Sequence, residues 1–226
     1  MYVTSQNECW KLDSLSVELV PQLQSNQEEA DTRTLLHARH VIINGPAVVH
    51  CDDTDVLILL LSHSNTLRQC YVKKIKGTKA TLMELEHISN GFLTHLSPGI
   101  SRHDFLQSLI GFHAFIRCDS VSAFAGKGKW KGLQFLFKNG SYVRAMMELG
   151  ESWRLADETF EVLESFGCSL YGKRIEDVDL LHYELHCSKG DIVEPKKQKA
   201  LPPCKFSLRL NALRANNHVV SYAAAA

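Results

Sequence analysis

The chain carries no excess charge of either sign. Its 25 Lys plus Arg are matched by 25 Asp plus Glu. That argues against a protein that coats nucleic acid indiscriminately, but it is compatible with a local basic groove. The seven cysteines, Cys9, Cys51, Cys70, Cys118, Cys168, Cys187 and Cys204, contain no Cys-x-x-Cys pair and are odd in number. This spacing lacks the framework of a disulfide-stapled secreted protein and predicts reduced thiols in an intracellular protein, nuclear or cytoplasmic. The longest aliphatic run, Val56 to Leu61, is too short to cross a bilayer, so no membrane partner is expected. MYVTSQNECW has no basic stretch followed by an apolar core, so no secretory leader is expected. No internal repeat is present. What remains is a 226-residue chain, 45% hydrophobic and 22% charged, sized for one large or two small packed domains.

The local signals divide it. Residues 1–24 have weak periodicity. Ser25 and Glu28 form an S-x-x-E capping box for a helix that Asn44-Gly45-Pro46 stops. Ala47 to His50 reads as a short buried strand, followed by an apolar stretch from Val56 to Leu61 and a second strand from Gln69 to Ile75 that Gly77 ends. Thr81 to Asn90 has a helical mix. Ser101 and Asp104 cap a helix in which Phe105, Leu109, Phe112 and Ile116 recur at helical spacing. Two further helices are predicted, Trp130 to Phe137 closed by Asn139-Gly140, and Trp153 to Phe166 closed by Gly167. Beyond Asp191 the chain turns polar and proline-bearing, before a last helix over Leu208 to Val220. Strands alternating with helices, then helices alone, point to an α/β sheet domain with a helical second half.

Three acidic clusters stand beside these apolar segments: Glu28-Glu29-Ala30-Asp31, Cys51-Asp52-Asp53-Thr54-Asp55 and Cys118-Asp119. Converging carboxylates repel unless a cation sits among them, and Mg²⁺ prefers oxygen ligands. The Asp52–Asp55 loop follows a strand, where open α/β sheets place their sites. Each cluster also has a plain structural reading. Asp53 suits a helix start, Glu28, Glu29 and Asp31 suit a capping box and the helix dipole, and Asp119 suits a turn. Gly126-Lys127-Gly128-Lys129, ahead of an amphipathic helix, makes a turn whose amides can face a phosphate, with Lys127, Lys129 and Lys131 adding charge. Trp130 is close enough to stack on a base, but an amphipathic helix normally buries its Trp, so it is expected in the core. His182, His186 and Cys187 offer zinc donors without a cysteine pair, and the two histidines are expected to line one helix face.

Cys118 to Lys129 resembles the flap-endonuclease pattern G-C-D-Y, a spacer, then G-I-G-P-K, with the same Asp-to-Gly spacing. Glu29-Ala30-Asp31 resembles that family's E-A-E, and Asp53-Thr54-Asp55 its D-x-D after a strand. The resemblance covers about residues 25–170, with the motifs in the family's order. The chain is also similar, more closely, to a group of animal proteins sharing E-E-A-D-T-R, D-T-D-V-L, G-C-D-T-V-S-A-F and L-P-P followed by R-A-N. These stand here at Glu28 to Arg33, Asp53 to Leu57, Cys118 to Phe124, Leu201 to Pro203 and Arg214 to Asn216.

The resemblance implies a PIN-like parallel sheet flanked by helices, followed by a helix-hairpin-helix-like region. It makes Glu29, Asp31, Asp53, Asp55 and Asp119 the catalytic metal ligands for Mg²⁺ or Mn²⁺. Two such ions would serve an in-line phosphodiester displacement. It assigns Gly126, Lys127, Gly128, Lys129 and Lys131 to nucleic-acid backbone, DNA favoured. It also implies a layout of a poorly defined segment 1–24, a partial nuclease-like domain 25–190 with its hairpin region at 111–140, and a linker with tail helix at 191–226. The family's early catalytic Asp and second acidic motif have no counterpart before Glu29. Arg117, Ser120 and Lys127 replace the family's Gly, Tyr and apolar residue. An incomplete pocket, weakly active or inactive alone, is therefore expected, with a partner chain or a missing N-terminal segment needed to complete it. The alternative is a non-catalytic nucleic-acid-binding or protein-interaction module that keeps the fold.

Overall fold

A computed structural model describes residues 2–26, 30–116, 124, 126–173, 175–188 and 201–223. It is mixed α/β, 55% helix, with two three-stranded sheets among the described residues. The chain forms two compact units that divide at Gly91.

The first unit opens with an antiparallel meander, β1 (Tyr2–Ser5), β2 (Glu8–Leu12) and β3 (Val17–Leu19), pairing Val3 with Trp10 and Trp10 with Leu19. Weak periodicity concealed it because these strands are largely exposed, apart from the buried Cys9. Helix α1 (Ala30–Ile42) follows a 3-10 turn at Pro21–Leu23 and buries Leu35 and Ala38. Of the expected capping box, Ser25 donates its amide to Asn7 O at 3.0 Å, and Glu28 lies outside the described residues.

The second sheet orders β4 (Ala47–His50), β5 (Cys70–Lys76) and β6 (Lys79–Glu84). β4 and β5 run parallel, pairing Val49 with Val72, and need the crossover that α2 (Thr54–Ser62) supplies. β5 and β6 are antiparallel. The sheet is thus mixed, where the family resemblance implied a parallel one. β4 was expected to be buried, but only Ala47 and Val49 are, and Val48 is 57% exposed. Among the described residues the strand pairs only with β5 and so lies at the sheet edge, and its alternate residues face a covered and an exposed side.

Helix α3 (Leu85–Leu93) crosses the division between the units. The second unit is helical: α4 (Arg102–Ile116), α5 (Lys129–Leu136), α6 (Gly140–Glu148), α7 (Asp157–Leu170), α8 (Val178–Ser188) and α9 (Lys205–Ala223). α4 is its centre. Phe105, Leu106, Leu109, Phe112, Ala114, Phe115 and Ile116 are all buried, so the helix is apolar nearly all round. Its start follows the expected cap, with Ser101 Oγ accepting the Asp104 amide at 3.0 Å. Phe105 stacks on Phe137 at 5.1 Å, and Tyr142 meets Phe166 edge-on at 5.2 Å.

Two helix ends differ from expectation. Asn139-Gly140 opens α6 instead of only closing α5, because Asn139 Oδ1 accepts the Ser141 amide at 2.9 Å. Gly167 sits inside α7, which begins at Asp157 and runs on to Leu170. There a Cβ added to Gly167 would meet Leu208 of α9 at 3.7 Å, an ordinary van der Waals distance.

The tail helix docks on this unit as expected, burying Leu208, Ala212, Ala215 and Val219. Two asparagines fix its position. Asn211 Nδ2 donates to Phe115 O at 3.1 Å, and Asn216 bonds both Gly150 N and Ser152 O.

Candidate functional site

In the first unit the acidic loop leaves β4 with its backbone still in the ladder, Cys51 N donating to Lys73 O at 3.2 Å. Asp52 Oδ1 accepts the Ile75 amide at 3.0 Å and ties the loop to β5. Asp53 is the N-cap of α2. Its backbone is extended, and Oδ1 accepts the Asp55 amide at 3.0 Å. Asp55 lies in the first turn, where a carboxylate complements the helix dipole. Asp52 and Asp53 therefore both have work to do in the fold, as the plain reading of this loop anticipated.

Asp31 lies in the first turn of α1. The Cys51 thiol is pushed up in pKa mainly by burial. Lys74 opposes that, and the negative charges of Asp53 and Asp31 add to it. Two predicted carboxylates from separate elements thus act on one thiol at the C-terminal end of β4. Among the described residues, no group of three or more His, Cys, Asp or Glu side chains lies close enough to hold a metal ion. Glu29 and Asp119 lie outside the described residues.

In the second unit, Gly126 adopts φ +69°, a left-handed conformation that strains any side-chain-bearing residue, and Lys127 N closes the turn on Phe124 O at 3.0 Å. Gly128 is extended and caps α5 with no side-chain oxygen on the first-turn amides. Its carbonyl accepts from Lys131 N at 3.1 Å and Gly132 N at 3.4 Å. The Lys129 and Trp130 amides are in the orphan positions of a helix start. A Cβ on either Gly126 or Gly128 would meet none of the described residues within 4 Å.

The lysines here are not equivalent. Lys127 Nζ lies 4.3 Å from the centre of the Tyr171 ring. Burial, then Cys168, pushes the Tyr171 phenol up to about 12. Lys129 Nζ lies 2.9 Å from Nδ1 of His113, a residue only 4% exposed on α4. The Lys131 side chain makes no hydrogen bond or ion pair with the described residues. No acidic residue occupies the first turn of α5. Trp130, expected in the core, is instead 61% exposed. Gly132 and Leu136 are the buried positions of α5. Position 130 is two residues from 132, roughly 200° around the helix at 3.6 residues per turn. A full helical-wheel reading of Trp130–Phe137 would have revealed this.

Other polar features are present. His182 Nδ1 lies 2.7 Å from Pro202 O. His182 and His186 are spaced to share one face of α8. A cleft of about 410 Å³ at the start of α6 is lined by Ile100, Asp104, Lys138, Asn139 and Arg144. The Asn139 side chain already takes the Ser141 amide there. No described helix is long and apolar enough to cross a membrane.

No family model, curated protein or solved structure matches this chain.

Proposed function

We propose that this chain is a PIN-like, flap-nuclease-derived domain that holds nucleic-acid backbone, DNA by preference, through the turn from Gly126 to Lys131. Phosphodiester hydrolysis by the chain alone is weak or absent, and a partner chain or a further N-terminal segment completes the acidic pocket where activity exists. One observation carries the reading: Gly128 precedes α5 as an N-cap without a side-chain hydrogen bond, with none of the described residues within 4 Å of where its Cβ would be, and Lys127, Lys129 and Lys131 stand around the first turn. Uncapped amides and cations there suit a phosphate oxygen. Contacts of this kind read backbone and shape, not sequence.

The test is fluorescence anisotropy of labelled branched DNA at fixed salt. Lys127→Gln with Lys131→Gln is expected to weaken binding by about tenfold or more, at roughly 1 kcal/mol for each phosphate contact. Equal affinity of parent and variant would end the reading.

A second reading is metal-dependent phosphodiester cleavage with Mg²⁺ or Mn²⁺, supported by the charges of both Asp31 and Asp53 acting on Cys51 at the end of β4. Calorimetry with Mn²⁺ checks it. Heat of binding that vanishes in Asp53→Ala plus Asp55→Ala supports it, and no heat in the parent counts against it.

A further inference from the structure

We propose that Trp130 is a stacking platform for an unpaired base, so that the turn at Gly126–Lys131 prefers single-stranded nucleic acid to duplex. The proposal rests on the backbone-binding reading above and adds the class of ligand.

The large indole of Trp130 is 61% exposed, although α5 seats itself on the unit through Gly132 and Leu136. The fold thus gives Trp130 little burial. Its neighbours in sequence, Lys129 and Lys131, are cationic, as is Lys127 one turn earlier. No carboxylate occupies the first turn of α5. An exposed aromatic face flanked in sequence by lysines complements a ligand that is anionic along its backbone and flat along its bases. Every base has a π-face, so such stacking tolerates any sequence while lysines follow the phosphates. A duplex hides those faces in its own stack and offers Trp130 only an edge or a groove.

Anisotropy with a labelled oligo-dT and with a blunt duplex of equal length, using the full chain, tests this. Trp130→Ala is expected to lower oligo-dT affinity about 5- to 150-fold and leave duplex affinity unchanged. Trp130→Phe should keep most of the oligo-dT affinity, and circular dichroism should show both variants folded. Oligo-dT should also quench tryptophan fluorescence in the parent but not in Trp130→Ala. Unchanged oligo-dT binding by Trp130→Ala, or equal loss on both DNAs, overturns the proposal. If Lys127→Gln plus Lys131→Gln still weakens both DNAs in that case, backbone binding stands without stacking. If the lysine pair changes neither, the backbone reading fails and takes this proposal with it.

Discussion

Lys129 and His113 are joined across the second unit, with the ammonium nitrogen 2.9 Å from Nδ1 of a nearly buried imidazole. Lysine has no acceptor, so Nδ1 must accept, and the imidazole proton sits on Nε2. This contact fastens the first turn of α5 to α4 and makes Lys129 part of the fold as well as of the candidate surface.

The first prediction follows from that division. Lys129→Met is expected to cost about 1–2 kcal/mol, the range for a hydrogen bond to a charged group discounted for partial exposure. Lys131→Met should stay within about 0.5 kcal/mol of the parent. Urea denaturation compares them, and equal midpoints would show that the His113 contact contributes nothing.

Gly128 separates stability from binding. Gly128→Ser supplies the missing cap and should raise stability by a few tenths of a kcal/mol. The same hydroxyl takes a first-turn amide that a phosphate would use, so DNA affinity should fall. A variant that gains stability and binds DNA as tightly as the parent would remove the amides from the interface.

The tail helix depends on Asn216, which is 1% exposed and bonds Gly150 N at 3.0 Å and Ser152 O at 2.7 Å. Gly150 has φ +91°, and a Cβ there would lie 2.3 Å from Val219 Cγ1. Asn216→Leu leaves two backbone groups unsatisfied and is expected to cost about 2–4 kcal/mol. Gly150→Ala combines strain with a clash and should cost a similar amount. Thermal denaturation measures both, and a loss under about 0.5 kcal/mol in either variant would contradict the docking described.

In the first unit His63 is held below its ordinary pKa, mainly by burial. The Leu59 carbonyl, 2.9 Å from Nδ1, opposes this, and Arg39 adds to the lowering. His37 is likewise lowered, first by burial. The unfolded chain therefore binds these protons more readily than the folded one. Their contribution is complete above about pH 6.5 and is lost as pH falls from there through the folded values. Melting temperature should decline below pH 6.5, and His63→Gln should flatten that decline. Asp13 and Asp157 are lowered too, by hydrogen bonds from Leu15 and Arg209 respectively, but their window begins near pH 3.8. A flat profile between pH 7 and 5 would contradict the assignment.

Local chemistry was legible wherever one residue decides it. The Ser101 cap, the strand ending near Gly77 and the helical face of α4 follow from side chains acting on their own backbone. Asn139 was misread because the same residue that ends one helix can cap the next, and Gly167 because burial of its neighbours Phe166, Cys168 and Leu170 carries α7 past a glycine. The β1–β3 meander gave little pattern because most of its residues face solvent. At the acidic loop, capping was anticipated. Capping by Asp53 is local, whereas the effect of the Asp31 charge on Cys51 depends on how α1 packs near β4, which spacing alone does not encode. Trp130 shows the opposite error, a general preference for burial overruled by its angular position on α5.

The central claim, that the turn before α5 holds phosphates, is tested most directly by the salt dependence of DNA binding. Each phosphate contact to duplex DNA contributes about 0.9 to the slope of log K against log salt. Lys131→Gln is expected to make that slope shallower by about 0.9, with the fold unchanged. Parallel lines for parent and variant, whatever their offset, would contradict the account.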